Sequence, residues 1–178
     1  MAIKEDVKNL LAAFAAQSEI PAGASSDEIE ELSEYFVELP TEMKEWLRLC
    51  NAPYFGGEIF LGVKPAPIFR LIESVYEYYP NWEDYEWIPI SEDGCGNYYV
   101  LDVSESVTDS HPVYFIDHEE GGDTPCYIAA SGLWEFVRFV LEQDITKDRR
   151  FPFNKNFVLE KDPNLEFYSG DVPFAWHS

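Results

Sequence analysis

The sequence predicts an α+β protein that forms a single domain. Segments with apolar residues at helical spacing precede and follow a stretch that is rich in strand-like segments. Two of the strand-like segments flank a glycine-containing turn, which predicts a β-hairpin and therefore antiparallel pairing. The 178 residues suffice for one domain with one sizeable core. Because 46% of the residues are hydrophobic and 16% are aromatic, the chain is not predicted to be disordered.

Five segments repeat apolar residues at the period of an amphipathic helix. They span about residues 3–17, 29–36, 43–50, 68–79 and 133–141. Ser25 and Glu28 have the spacing of a capping box, which predicts that the second helix begins there. Ser131 is expected to cap the last helix, because its hydroxyl oxygen can accept a hydrogen bond from a free backbone N–H.

Five other segments are rich in the β-branched and aromatic residues of strands. They span residues 58–62, 87–90, 98–103, 112–117 and 126–129. The hairpin joins the second of these to the third through Asp93-Gly94 and Gly96-Asn97, since these residue types tolerate the positive φ of a tight reversal. An acidic loop is expected over residues 102–110.

The segment after Asp144 differs in composition from the rest. Residues 144–178 hold five of the 12 basic residues and six of the 34 acidic ones, so nearly all of the net charge of −22 lies before them. This segment has many aromatic residues, three prolines and no helical period. We interpret it as an extended arm that packs on the domain or on a second subunit, because a solvated tail would not carry so many large apolar side chains. A homo-oligomer formed through this arm is therefore one expectation.

The net charge of −22 excludes some classes of partner. Nucleic-acid binding depends on Lys and Arg that neutralise phosphates, and anionic membrane surfaces attract basic rather than acidic proteins. We therefore expect neither nucleic acid nor membrane as a partner. The charge favours a basic protein partner through electrostatic steering. The alternative is that the charge serves only to keep the protein in solution.

The three cysteines indicate a reducing compartment. Their number is odd and no pair is closely spaced, so free thiols are expected rather than a disulfide framework. The N-terminal sequence lacks a basic region followed by an apolar run, and no apolar run approaches about 18 residues. The expected location is the cytoplasm.

Two short motifs suggest a metal site, and neither has the full pattern. Residues 91–102 resemble a calcium loop in spacing, but Cys95 is a poor ligand for a hard cation and the flanking segments read as strands. Residues 117–120 include His118, but no second histidine stands at helical spacing from it. A hairpin turn and a strand-end cluster bonded to nearby backbone are the favoured interpretations. No catalytic constellation, metal or cofactor is predicted.

The segment from Tyr76 to Trp87 is the predicted partner-binding surface. It mixes Tyr and Trp with four acidic residues, and aromatic residues are enriched at interface hot spots while acids attract a basic partner. The candidate contact residues are Tyr76, Tyr79, Trp82, Glu83, Asp84, Tyr85 and Glu86. The alternative interpretation is that the aromatic side chains cover the core and the acidic side chains face water.

The order of motifs resembles the SUKH superfamily of bacterial immunity proteins and yeast regulators of cell-wall glucan synthesis. The motifs that carry the resemblance are Leu39-Pro40, Trp46-Leu47, Asn51, Ile59 to Gly62, Trp87 to Ile90, Asp93 to Tyr99, Leu101-Asp102, Pro112 to Tyr114, Asp117 to Glu119, Tyr127 to Ala129 and Phe136. Cys95 departs from the small residue that the family usually has there. The resemblance covers residues 25–143, so residues 1–24 form an N-terminal helix extension and residues 144–178 the aromatic-rich C-terminal arm.

The resemblance implies a largely antiparallel sheet with helices packed around it, and no catalysis. It implies a protein that neutralises a cognate toxin by direct contact, or a regulatory scaffold like the yeast members. The acidic charge suits a basic toxin domain as the partner. An enzyme or metal protein is the remaining hypothesis, and it would use Asp93, Asp102 and His118.

Overall fold

A six-stranded antiparallel sheet runs through the part of the chain that the structure describes. The computed structural model describes residues 2–33, 36, 39–104, 110–168 and 170–177. The strands are β1 Tyr54–Phe55, β2 Glu58–Phe60, β3 Trp87–Glu92, β4 Tyr98–Asp102, β5 Val113–Ile116 and β6 Tyr127–Ala130. Their order in the sheet is their order in the chain, and each neighbouring pair is antiparallel. The predicted α+β fold with an antiparallel sheet is confirmed.

Helices cover both faces of the sheet. They are α1 Ala2–Ala15, α2 Ser26–Ser33, α3 Thr41–Leu49, α4 Ile72–Tyr78, α5 Asn81–Asp84, α6 Leu133–Thr146 and α7 Lys155–Lys161. The predicted capping box is confirmed at the start of α2, where the Ser25 N–H donates to Glu28 Oε2 at 2.6 Å and the Glu28 N–H donates to Ser25 Oγ at 3.3 Å. Among the described residues, none of the helices combines the length and the apolar character needed to span a membrane.

Aromatic contacts hold α6 against one face of the sheet. Phe136 lies 4.6 Å from the Tyr99 ring and 5.9 Å from the Phe60 ring, and α3 adds Trp46 at 5.3 Å from Phe60. The helices α1 and α3 pack beside α6, so these three elements form one layer. The helices α4 and α5 pack against β3 on the other face of the sheet. Tyr98 points to that face, because its side chain alternates with that of Tyr99, and its ring contacts Tyr79 and Trp82.

The predicted helix 68–79 is interrupted. Ile68–Arg70 forms a single 3₁₀ turn, and Leu71 is extended, with φ −90° and ψ 130°, before α4 begins. The reason is a backbone connection to the chain just after β2, where the Gly62 N–H donates to the Arg70 carbonyl at 2.8 Å and the Ile72 N–H donates to the Gly62 carbonyl at 3.0 Å. These bonds compete with the helical pattern that the apolar spacing predicts.

Ser131 does not cap α6, so that prediction is wrong. Gly132 holds the N-cap position without a side-chain bond. The Ser131 hydroxyl instead donates to Asp162 Oδ1 at 2.5 Å, and its backbone N–H donates to Asp162 Oδ2 at 2.8 Å. Asp162 follows α7, 31 residues away, so a tertiary contact has taken the place of the local one.

The C-terminal arm is folded, and the prediction that it is extended is wrong. It contains α7 and a 3₁₀ helix, Pro163–Tyr168. Asn154 caps α7 by accepting the Phe157 N–H at 3.0 Å. A helix of seven residues shows too few repeats for its period to be read from the sequence. Phe151 and Leu165 are buried, so the arm packs on its own domain, and its contact with a second subunit stays a prediction.

Some predicted features lie outside the described residues. These are residues 34 and 35 of the second predicted helix, residues 37 and 38 just after it, and residues 105–109 of the predicted acidic loop. The structure also contains elements that the sequence did not indicate, namely β1, α5 and α7. The three cysteines are free thiols.

Candidate partner-binding surface

The segment from Tyr76 to Trp87 crosses the face of the sheet that lies opposite α6. It comprises the end of α4, the short helix α5 and the first residue of β3. Pro80 at the start of α5 and Glu86, which has a positive φ of 56°, turn the chain at either end of α5. The segment therefore folds back on itself, and its side chains divide into buried and exposed sets.

Two of the candidate residues are buried. Trp82 is 1% exposed, and its indole N–H donates to the Gly122 carbonyl at 2.6 Å. The Tyr76 hydroxyl donates to the backbone carbonyl of Trp87, and burial raises the pKa of Tyr76. For Tyr76 and Trp82 the core interpretation applies, because each satisfies its polar atom inside the protein.

Tyr79 lies between the core and the surface. It is half-buried and stacks on Trp82, with ring centroids 4.4 Å apart and an interplanar angle of 7°. The Tyr98 ring stands edge-on to both, at 5.7 Å from Tyr79 and 5.5 Å from Trp82. Burial, followed by the charges of Tyr78 and Glu92, raises the pKa of Tyr79. This stack holds in place the backbone that carries the neighbouring acidic side chains.

The other four candidates are exposed. Glu83, Asp84 and Glu86 point to solvent, and Tyr85 is 38% exposed with its ring 4.9 Å from the Trp87 ring. Among the described residues, none of these three acids forms an ion pair within the protein. Their negative charge is therefore available to a partner.

The structure adds a second acidic segment that the sequence did not connect with the first. Because Trp82 binds the Gly122 carbonyl, the loop between β5 and β6 lies against α5. Its Glu119, Glu120 and Asp123 are exposed. The two segments are 40 residues apart in sequence. The acidic, glycine-rich composition of the loop is the only sequence feature that could have suggested it as part of a binding surface.

Tyr78 lies in the predicted segment but was not among the candidate contact residues. It is 78% exposed, more than the aromatic members of the candidate set, and its ring stands edge-on to Tyr79 at 5.0 Å. Its neighbour Glu77 is also exposed. We name as the acidic surface the exposed residues of both segments, which are Glu77, Tyr78, Glu83, Asp84, Tyr85, Glu86, Glu119, Glu120 and Asp123.

The residues considered for a metal or an enzyme have structural partners. Asp93 Oδ1 accepts the Cys95 N–H at 2.7 Å and so closes the β3–β4 turn. Asp102 Oδ2 accepts the Trp87 indole N–H at 3.2 Å, and the His118 ring nitrogen Nδ1 contacts Asn97 Oδ1 at 2.8 Å. Within the described part of the chain, no group of three or more His, Cys, Asp or Glu side chains converges as a metal site would require.

The sequence profile of the SMI1 / KNR4 family (SUKH-1) matches residues 23–138 of the chain. The match includes all six strands, the acidic surface and the first half of α6. It ends before the C-terminal arm. Comparison with curated proteins finds no significant match.

Proposed function

Because the chain belongs to the SMI1 / KNR4 family (SUKH-1), we propose that it is a non-catalytic binding protein of the cytoplasm. Its proposed role is that of an immunity protein, which neutralises a cognate basic toxin domain by direct contact. The acidic surface is the proposed contact. The observation that carries this assignment is the convergence of two acidic segments, distant in sequence, on one exposed face.

The chemistry of the acidic surface suits a basic partner. Seven of the nine residues that define it are Glu or Asp, and they come from two segments; the whole chain has a net charge of −22. Such a potential attracts a positively charged protein and raises its association rate. Tyr78 and Tyr85 supply amphipathic rings between the acids, and aromatic side chains of this kind often anchor interfaces.

On binding, the acidic surface would cover the active site of the partner. A rigid platform favours tight binding, since side chains that are already ordered lose little conformational entropy on association. The stack of Tyr79 on Trp82 and the bond from Trp82 to Gly122 provide that platform here. Binding through exposed charges weakens as the salt concentration rises.

Charge reversal tests the proposal. The test variant is Glu83→Lys with Asp84→Lys, and the matched control is Glu5→Lys with Asp6→Lys, which changes the same two residue types on α1. Glu5 and Asp6 are also exposed, and α1 packs beside α6 on the opposite face.

The experiment begins by capturing partners from toxin-like proteins encoded beside this gene and by co-expressing each with the protein. We expect one basic partner, protection of the host cell, and a loss of affinity of about tenfold or more for the test variant only. Absence of any partner and of any protection would contradict the immunity role. Equal affinity of the test variant and the wild type would move the interface away from the acidic surface.

A regulatory scaffold is the second candidate, because the superfamily that the chain resembles includes yeast regulators of cell-wall glucan synthesis. The same capture experiment separates the two. Recovery of cell-wall enzymes, with no toxin encoded nearby, would support the scaffold.

A further inference from the structure

A cleft on the α6 side of the sheet has no role in the acidic surface. It is open to solvent and has a volume of about 370 Å³, within the range of small-ligand sites. Its floor is formed by Glu58, Tyr99, Phe115 and Tyr127 of the sheet, and its rim by Arg149 and Phe153 of the C-terminal arm. We call it the Glu58 cleft. The rim lies beyond the residues that match the family.

Aromatic rings line the Glu58 cleft. Phe115 stacks on Tyr127 with centroids 4.8 Å apart and an interplanar angle of 13°, and Tyr99 lies 5.1 Å from Phe115. Phe153, which is 61% exposed, lies 6.2 Å from Tyr127. The faces of such rings attract cations, and arginine is the most frequent partner in proteins.

Glu58 places a carboxyl group beside these rings. Its Oε2 atom is shielded from solvent and has no hydrogen-bond partner among the described residues. Burial, followed by the charge of Asp93, raises the pKa of Glu58 to about 8. A buried acceptor without a donor is unfavourable, and a ligand that brings an N–H donor would remove that cost.

The other groups that face the cleft do not fill this role. Asp93 is held in the β3–β4 turn by the Cys95 and Asn97 N–H groups, and Arg149 is exposed at the rim. The hydroxyl groups of Tyr99 and Tyr127 lie 3.4 Å from each other. Burial raises the pKa of both tyrosines, so they stay neutral near pH 8.

We infer that the Glu58 cleft binds the guanidinium group of an arginine side chain on a basic protein partner. The inference rests on the proposed function, since it names one contact by which such a partner is held. The guanidinium group presents five N–H donors in a planar fork, which suits donation to the Glu58 carboxylate together with stacking on Tyr127 and Phe153. When the group binds, Glu58 releases its proton to solvent, because the nearby positive charge favours the ionised carboxylate.

The position of the cleft allows one partner to contact it and the acidic surface together. In an antiparallel sheet of this order, the β1–β2, β3–β4 and β5–β6 connections lie at the same end. Asn97 of the β3–β4 turn contacts His118 of the β5–β6 loop at 2.8 Å. The cleft and the acidic loop therefore lie at neighbouring positions around that end of the sheet.

A small arginine probe tests the cleft without the partner. The full chain is titrated with N-acetyl-arginine methylamide and followed by NMR, with N-acetyl-lysine methylamide as the second probe. We expect saturable shifts of the Tyr99 and Tyr127 ring signals and tighter binding of the arginine probe. Affinity should rise from pH 6 to pH 8, by up to about tenfold per pH unit where one proton is released on binding.

The Glu58→Gln variant keeps the shape of the side chain and removes its charge. We expect it to lose affinity by about tenfold or more and to lose the pH dependence, while its NMR spectrum without probe stays that of a folded protein. The matched control is Glu30→Gln, an exposed acid on α2 outside both the cleft and the acidic surface, which should bind as the wild type does. Phe153→Ala, at an exposed ring, should weaken binding without unfolding the chain.

Three results would overturn the inference. They are the absence of a saturable shift, equal affinity of Glu58→Gln and the wild type, and equal affinity for the lysine probe. The outcome is separable from that of the proposed function. A protein that binds the probe but captures no toxin contradicts the immunity role alone, and a protein that captures a toxin but not the probe contradicts the cleft alone.

Discussion

Two aromatic-rich segments of this chain differ in whether their charged side chains form ion pairs. In the C-terminal arm, charged residues pair locally or with α6, through Lys147–Asp144, Arg150–Asp148 and Lys161–Glu142 contacts of 3.0, 2.5 and 2.8 Å. In the segment from Tyr76 to Trp87, Glu83, Asp84 and Glu86 form no ion pair among the described residues. The arm packs on its own domain, whereas the other segment leaves its negative charge exposed to solvent.

The aromatic residues of the two segments are more alike than the sequence indicated. Trp82 in one segment and Phe151 in the other are both buried and anchor their backbone to the sheet or to α6. Among the described residues, each segment also leaves two rings exposed, Tyr78 at 78% and Tyr85 at 38% in one, and Phe153 at 61% and Phe167 at 67% in the other. The two segments therefore differ in whether the charges between their rings are paired, and aromatic content alone does not distinguish an exposed acidic surface from a structural arm.

The largest expected effect is that of removing the Trp82 anchor. Trp82→Ala should lower the free energy of unfolding by about 3–5 kcal/mol, because a large side chain is deleted from a packed site. Tyr78→Ala, in the same segment, should change it by less than about 0.5 kcal/mol, since the ring is exposed. Urea unfolding of both variants measures the contrast. Similar losses in both would contradict the division of this segment into buried and exposed sets.

The next effect concerns the attachment of the arm. Asp162→Ala should lower the free energy of unfolding by about 1–3 kcal/mol, because it leaves the buried Ser131 N–H and hydroxyl without their acceptor. Glu160→Ala, at an exposed position of α7, is the control and should have little effect. If Asp162→Ala unfolds at the urea concentration of the wild type, this contact does not hold the arm.

Stability should fall as the pH rises from about 5 to 8. Burial raises the pKa of Glu42 to about 7 and that of Glu58 to about 8, from the ordinary value of 4.5 for a glutamate side chain. The folded protein therefore keeps protons that the unfolded chain releases over this range, so the free energy of unfolding decreases as the pH increases. Each of the two groups contributes a slope of up to about 1.4 kcal/mol per pH unit while it is protonated in the folded protein and ionised in the unfolded chain.

Glutamine variants locate the source of this pH dependence. Glu42→Gln with Glu58→Gln should flatten the curve of unfolding free energy against pH, because neither side chain can then ionise. Glu30→Gln, at an exposed position of α2, should leave the slope as it is in the wild type. A slope that persists in the double variant would assign the effect to other groups.

The smallest expected effect on stability is that of charge reversal in the acidic surface. Glu83→Lys with Asp84→Lys should shift the free energy of unfolding by no more than about 0.5 kcal/mol per site, since both side chains are exposed. Thermal unfolding measures this directly. A large loss would show that these acids stabilise the fold, and would remove the contrast with the paired charges of the arm.

Residues close together in sequence accounted for much of the fold. The apolar stripes predicted α1, α3 and α6 to within a few residues, and the capping box predicted the start of α2. The hairpin turn was predicted correctly for the same reason, since Gly94 and Gly96 have φ values of 79° and 95° and Asp93 binds the backbone two residues on. Such signals depend on a few neighbouring residues, and those are visible in any sequence.

Only part of the candidate surface could be predicted from the sequence. Composition identified an acidic and aromatic segment, but it could not separate Trp82 from Tyr78, because burial depends on which ring meets Tyr98 and the Gly122 carbonyl. The order of motifs that resembles the family was also recognisable from the sequence alone. The pairing of α5 with the β5–β6 loop was not, since no local pattern marks residues that are 40 positions apart.

The composition and periodicity of the chain were enough to predict an acidic α+β domain with a central hairpin, and the order of its motifs carried the resemblance to the family. The tertiary structure decided where the arm packs, why Ser131 bonds to Asp162 instead of capping α6, which acids share a face, and that Glu58 faces an open cleft whose rim the arm forms. These outcomes depend on long-range contacts whose partners compete with local ones, and only the packed structure shows which contact prevails.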